Sequence, residues 1–576
     1  MASVQTLRLD RHTDAVRAAL DRLRAQRFLL RLWDKDASLW SSDPATQDAI
    51  RQRLGWLTIS RVMAAQTAAL KPFAQEIRAA GLRRALLLGM GGSGLFSEVC
   101  RKTFGIAAGY LDLAVLDTTD PTAIRAAQDQ GPPTQLLVIV SSKSGTTSEV
   151  SALSKYFYEL FRPTGHPGAH CIAVTDQGSP LEAQAATLQY RRAFVHGPST
   201  GADVGGRFSA LTYFGLVPAS LMGIEIDVLL GRATEMLERC GPAVSLEENP
   251  AAVLGAALGG LALHGRGKMT LLCPPALESF GTWVEQLVAE STGKSGKGIA
   301  PFYGEPLDDA EMSANDRLFV ELQLASSLDA SLDQQVRALS DAGHPVVRIR
   351  WQDRYDVGGE VIRWFLATTI AGSLMEINPF DEPNVQESKD LIKSFLAQYA
   401  RDRRFAPDAA VFSNGHVSVY SSPQAKAGGS LVQCLSDWLR GARPQDYIAI
   451  LSFLPRTRRL DDAVQALRQA FARTLRRATT VGFGPRYLHS TGQLYKGGAD
   501  AAIFLELTAD ESNDLPIPGE PFTFGVLKQA QALGDFQAMQ QKGRRILRVH
   551  LHGDLDRSMQ QLLSAVEEVA SIPGTR

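Results

Sequence analysis

Three short stretches gather groups of the kind that hold a compact anion. The densest is Ser141-Ser142-Lys143-Ser144-Gly145-Thr146-Thr147, after the apolar run LLVIV and before a helical pattern. Five hydroxyls, one ammonium and a helix N-terminus converge there, a set that suits a dianionic phosphate monoester. A plain helix cap would need one hydroxyl, not five. The loop Gly89-Met90-Gly91-Gly92-Ser93-Gly94 joins another apolar run to a helix, and its glycines bring backbone N–H groups toward a bound anion. With Asp117 at the end of the next strand it also fits the GxGxxG dinucleotide fingerprint, so this loop alone does not choose a ligand. Gly205-Gly206-Arg207-Phe208-Ser209 would let the backbone approach a ligand and present a fixed cation. A surface arginine at a helix start would look the same.

Other residues could move a proton. Gln286 and Glu290 lie four apart in FGTWVEQLVAESTGK and so share a helix face, with Gly293 read as the helix end. A partly buried Glu290 at that helix mouth could act as a base; a surface glutamate is the plain alternative. In INPFDEPNVQESK, from Ile377 to Lys389, prolines and asparagine mark a turn into a helix that carries Lys389. LHSTGQLYKGG places His489 four residues before Gln493, although a lone histidine is commonly structural.

The elements that must position these groups alternate along the chain. Residues 13–80 read as helices, with Arg61 to Leu70 continuing the helical period. RALLL, LDLAVLD, QLLVIVSS and HCIAVTD then read as strands separated by helices, Pro121 to Gln130 and Thr147 to Phe161 among them. Strands apolar on both faces imply a parallel sheet covered on both sides. A second unit holds GKMTLLCPP, RLFVELQL and PVVRIRW; a third holds YIAILSFL, AAIFLELT and RRILRVHL. LFVEL at 318–322 echoes IFLEL at 503–507, and GHPVVRIRW echoes GRRILRVHL. That order suggests a duplicated fold, although any two α/β units share something of it. The expected divisions are an N-terminal helical segment 1–60, then domains 61–240, 241–395 and 396–576.

The totals exclude several classes. Of 576 residues, 45% are hydrophobic and 21% charged, values of a chain able to build a large core. Sixty basic against 61 acidic residues argue against bulk attraction to nucleic acid or membrane. Five scattered cysteines suit a reducing compartment, the N-terminus lacks the apolar core of a signal peptide, and no run of about twenty apolar residues exists. The expectation is a cytoplasmic protein. No cluster of His or Cys with ligand spacing stands out, so no metal and no cofactor is expected.

Together and in order, the five motifs from residue 84 to 389 resemble phosphoglucose isomerases, whose sugar isomerase (SIS) domains are doubly wound. The whole chain, with RLWDKDASLW near its start, is most similar to the isomerase half of bacterial transaldolase–isomerase fusions; no transaldolase portion is read here. The resemblance implies an α/β fold of two SIS-type parallel-sheet domains; the third α/β domain beside them is the one that the strand echoes suggest as a repeat of the second. It implies interconversion of glucose 6-phosphate and fructose 6-phosphate through a cis-enediolate. Gly92 and Ser93 would contact the sugar, and Ser142, Lys143, Ser144 and Thr147 would cradle its phosphate. Gly206 and Arg207 would stabilise the enediolate. Gln286 would bind the substrate, Glu290 would be the base, and Lys389 would help ring opening. Two departures stand out: Glu382 replaces the family's glutamine, and no histidine lies between Ser291 and Gly343, where the family keeps its ring-opening one. His489, heading H-x-x-x-Q, is the candidate replacement. In the family that histidine comes from a partner subunit; here the third domain would supply it in cis, in a monomer, with a homodimer as the alternative. Competing readings are a non-catalytic sugar-phosphate sensor, an isomerase that also accepts mannose 6-phosphate, an NAD-dependent dehydrogenase, and a nucleic-acid binder using the arginines of 461–478. In that helix the apolar stripe Val464, Leu467, Phe471 and Leu475 argues for a docked core face with solvated arginines.

Overall fold

A computed structural model describes residues 3–198, 200–305, 315–406, 409–421 and 429–570. It divides into two compact units. The first comprises Met1–Asp117, Asp129–Gly304 and Asp316–Asp381; the second comprises Thr118–Gln128, Glu305–Asn315 and Glu382–Arg576.

The first unit holds β1 (Val4–Arg8), β2 (Arg84–Leu88), β3 (Asp112–Leu116), β4 (Leu136–Ser141), β5 (Cys171–Asp176), β6 (Arg192–His196), β7 (Lys268–Leu272), β8 (Ala300–Tyr303), β9 (Arg317–Leu324) and β10 (Val346–Trp351). β2 to β6 form one sheet in the order β3-β2-β4-β5-β6, parallel throughout. Every residue of β4 is buried, as an all-apolar strand requires. The order reverses between β2 and β4, so a crevice opens beyond their carboxyl ends, where ligands of such sheets bind. The other sheet runs β1-β10-β9-β7-β8, parallel except for β1. One hydrophobic core, with Leu87, Ile139, Trp283, Val320 and Phe365, runs under both sheets.

The second unit holds β11 (Phe412–Ser413), β12 (Val417–Ser421), β13 (Tyr447–Ser452), β14 (Thr479–Phe483), β15 (Ala502–Ala509) and β16 (Arg545–Leu551). Its sheet runs β11-β12-β16-β15-β13-β14, with β12 antiparallel to β16 and β13 to β16 parallel. Its own core includes Ile448, Phe471, Leu505 and Val549. The α/β class with parallel-dominated sheets is as expected, and the third sheet repeats the strand order of the second.

Several local readings need correction. The segment before residue 13 supplies a strand, β1. The span Arg61 to Leu70 is broken, because helix Ile59–Ala64 and helix Leu70–Ala79 are separated by a 3-10 turn at Thr67–Ala69. The helix expected at 461–478 runs Arg458–Leu475. Its apolar stripe is buried as anticipated, but Arg468 is not solvated: it is buried and donates to the Thr479 carbonyl at 2.8 Å. Among the described residues no helix is long and apolar enough to cross a membrane.

Candidate functional site

The first unit brings four sequence motifs, with the turn 378–381 that opens the fifth, to the carboxyl end of its β2–β4 crevice. Beyond β2 the glycine loop turns through Gly91–Ser93 into helix Leu95–Phe104. Beyond β4 the hydroxyl loop leads into helix Ser148–Phe161. Ser141 Oγ donates to the Ser93 carbonyl at 2.7 Å and fastens one loop to the other. Gly92 has to be glycine: a Cβ there would lie 2.0 Å from the carbonyl oxygen of Gly206. Ser209 Oγ bridges these backbones, 2.6 Å from the Gly206 oxygen and 3.2 Å from that of Gly92.

The hydroxyl loop is held in a tight turn by its own hydrogen bonds. Gly145 turns it in the left-handed region at φ +67°. Ser142 Oγ accepts the Gly145 N–H and lies 3.1 Å from Thr147 Oγ1. Ser144 Oγ accepts the Thr146 N–H at 3.2 Å. Thr147 occupies the cap position of a 14-residue helix without making a side-chain cap bond, so its hydroxyl does not close off the first-turn N–H groups. Lys143 Nζ pairs with Asp176 and donates to the Ala202 carbonyl at 3.2 Å, which ties the loop to β5. Next to that pair His196 is buried. Its Nε2 accepts the Tyr213 N–H at 3.1 Å, leaving Nδ1–H to donate to the Thr175 carbonyl at 3.2 Å. Burial first, and the Lys143 charge second, push its pKa down to about 4.

Arg207 lies at the centre of the polar constellation. Carried by the turn Gly206–Phe208, it is only 4% exposed, so the surface reading of this arginine fails. Nη1 lies 3.3 Å from Glu290 Oε1, and Nε donates to Ser291 Oγ at 2.8 Å. Nη2 donates to the carbonyls of Pro379 at 2.6 Å and Asp381 at 2.9 Å. Glu290 is likewise buried, and Gln286 Nε2 donates to its second oxygen at 3.1 Å. Both project from helix Glu278–Thr292, which is buried along nearly its whole length. Gly293 follows that helix, but at φ −78° and not in the left-handed conformation of a glycine cap. A carboxylate, a fixed cation and two backbone loops thus meet where little water enters.

The sequence reading missed three partners. Lys294 Nζ reaches the Asn378 carbonyl at 2.6 Å and Asp381 Oδ1 at 2.8 Å, so the turn 378–381 is clamped by two buried cations. Trp40, from RLWDKDASLW, packs edge-on against Phe380 at 5.0 Å, and Arg53 donates to the Phe380 carbonyl at 3.0 Å. The GK after the glutamate helix was the signal for Lys294. Nothing local announces Trp40.

Lys389 and His489 belong to the second unit. Lys389 is exposed on helix Val385–Asp402. His489 ends the 3-10 turn Arg486–His489 and is half-buried. Gln493, fully buried, donates from Nε2 to Asn384 Oδ1 and accepts the Asn384 N–H, each at 2.9 Å. The H-x-x-x-Q motif is thereby bound to the start of the helix that bears Lys389. Beneath it Asp535 pairs with Lys496 at 2.6 Å and accepts from Tyr487 at 2.8 Å, all three buried.

No family model matches the chain. A Natronomonas pharaonis protein named "Probable glucose-6-phosphate isomerase" is 30% identical over 349 residues, 54% of this chain and 78% of that one. A Synechococcus glucose-6-phosphate isomerase is 29% identical over 354 residues, 54% of this chain and 65% of that one. Among solved structures, a hypothetical protein from Thermus thermophilus aligns with TM-score 0.58 and 25% identity, over 68% of this chain and 100% of that one. A glucose-6-phosphate isomerase from Chlamydia trachomatis aligns with TM-score 0.52 at 21% identity, over 60% of this chain and 75% of that one, a likeness of fold. On the strength of these relatives, the chain belongs to the glucose-6-phosphate isomerase family.

Proposed function

We propose that this chain interconverts D-glucose 6-phosphate and D-fructose 6-phosphate without a cofactor, through a cis-enediolate, in the cytoplasm. The observation that carries the reading is the buried Arg207–Glu290 pair, backed by Gln286 and flanked by the Gly92 and Gly206 backbones. Aldose–ketose isomerisation moves one proton between neighbouring carbons. Glu290 takes it from C2 of the open-chain aldose and returns it to C1. The intermediate is an anion, and Arg207 is already fixed by four polar contacts, so it need not reorganise as charge develops. The phosphate rests on Ser142, Ser144 and Thr147 at the helix N-terminus, remote from the reacting carbons, and positions the sugar. Lys143 acts by holding that loop. Five unpaired cysteines fit the reducing compartment.

Ring opening needs a further acid–base pair. We assign it to His489 and Lys389 of the same chain. Gln493, on the motif that His489 heads, is bonded to Asn384 at the start of the helix that carries Lys389. A coupled assay with glucose 6-phosphate in the presence of a chelator tests the activity. Conversion to fructose 6-phosphate is expected. Absence of turnover with either hexose phosphate would overturn the reading.

A further inference from the structure

The second unit holds a cavity of about 460 Å³, with Tyr420, Phe453, Lys528 and Arg548 in its walls. Asp510, His550 and His552 line it too. His550 lies on β16 and His552 two residues later, so both rings fall on one face. Asp510 follows β15, and the parallel pairing of β15 with β16 delivers it to the histidines. His550 Nε2 lies 3.0 Å from Asp510 Oδ1, and His552 Nδ1 lies 3.2 Å from Asp510 Oδ2.

We propose that Asp510, His550 and His552 form a binding site for a divalent transition-metal ion such as Zn²⁺. Zinc ligands stand about 2.0–2.1 Å from the ion, which puts tetrahedral ligand pairs roughly 3.3 Å apart. Each N···O separation is close to that edge, one to each oxygen of the Asp510 carboxylate. One ligand atom from each of the three residues lies within 4.8 Å of the other two, so the three donors converge on one point. The backs of both rings are already fixed: Thr508 Oγ1 lies 2.8 Å from His550 Nδ1, and Ser418 Oγ lies 2.9 Å from His552 Nε2. The Gly553 N–H approaches the carboxylate at 3.4 Å. Outer partners of this kind set ring orientation in metal sites. Two histidines and one carboxylate leave coordination positions for water or for an oxygen ligand held in the cavity. No spacing rule marks these residues, because 40 positions separate Asp510 from His550 and they meet only through strand pairing.

The plain alternative is a hydrogen-bonded pin joining β12, β15 and β16. The full-length protein, stripped by chelator and dialysed, separates the two. Titration with Co²⁺ followed by visible absorption, then displacement by Zn²⁺, should show one saturable equivalent. His550→Gln and His552→Gln should each weaken Zn²⁺ binding at least ~30-fold, and Thr508→Val, which keeps all three ligands, about tenfold. Should a histidine variant fail to fold, the Thr508→Val affinity decides. Absence of one-to-one uptake by the wild type, or unchanged affinity in the variants, would overturn the proposal. The readout is metal binding, so it stands or falls apart from the isomerase activity.

Discussion

The second and third sheets are built to one plan and put to different uses. In each the parallel order is second, first, third, fourth strand, with an antiparallel strand beside the fourth: β8-β7-β9-β10-β1 and β14-β13-β15-β16-β12. The likeness extends to side chains. Glu321 pairs in register with Arg348, and Glu506 with Arg548, at matching places on third and fourth strands. Their surroundings differ. Arg348 is partly exposed, shared with Asp333 at 2.7 Å, and lies 3.3 Å from Glu321. Arg548 is buried under the rings of Tyr420 and Phe536 at 4.2 and 4.8 Å, and burial drives the Glu506 pKa well up. The framework repeats while the chemistry at strand ends does not.

The helix after each first strand shows why. Helix Glu278–Thr292 is buried on nearly every side, so Gln286 and Glu290 need polar partners from neighbouring segments. Helix Arg458–Leu475 buries one face and uses Arg468 to clamp β14. The third sheet carries its polar groups after its second strand instead, in the segment from His489 to Lys496.

The largest contrast should come from Glu290→Gln, which keeps size and hydrogen bonding but removes the base. kcat should fall ~10²-fold or more with KM little changed. Conservative changes at Glu506, a buried glutamate of the third sheet whose register counterpart in the second is Glu321, should lower stability and leave the kinetic pattern intact. Comparable kcat losses at both would erase the distinction between the sheets.

Within the first unit the cradle and the base should separate kinetically. On the proposed reading Thr147→Ala loses one hydroxyl bond to the phosphate, about 1.5 kcal/mol, and should raise KM roughly tenfold while kcat holds. Equal efficiency with free glucose would remove the phosphate role altogether.

A separate effect concerns stability and not turnover. His196 is held neutral, with its pKa near 4 against 6.5 unfolded. Between those values the unfolded chain binds the extra proton, so this contribution is intact above pH 6.5 and fades as pH falls toward 4. The loss is at most about 3 kcal/mol. His196→Gln, which keeps an acceptor and a donor, should flatten that limb of the denaturation midpoint against pH; an unchanged limb would assign it to other groups.

Much of this was legible in the residues. All-apolar strands such as LLVIV and glycine–hydroxyl loops at their ends fixed the parallel sheet and its crevice by local rules alone. Arg207 was identifiable as part of a motif but not as buried, because its burial goes with the turn 378–381 folding back from far along the chain. β1 was unreadable for the same reason: its alternating exposure makes sense only once β10 is beside it. The Asp510–His550–His552 cluster is likewise a product of register.

The central claim is that one chain carries both halves of the machinery, Glu290 in the first unit and His489 in the repeated one. Complementation tests it most directly. His489→Ala should be nearly inactive on the cyclic sugar and much less impaired on a substrate already in open-chain form. When Glu290→Gln and His489→Ala chains are mixed, refolded together and assayed on cyclic glucose 6-phosphate, turnover should stay at the summed residual of the two. Recovery to a sizeable fraction of wild-type turnover would show that the histidine is exchanged between chains, and would contradict the self-contained site.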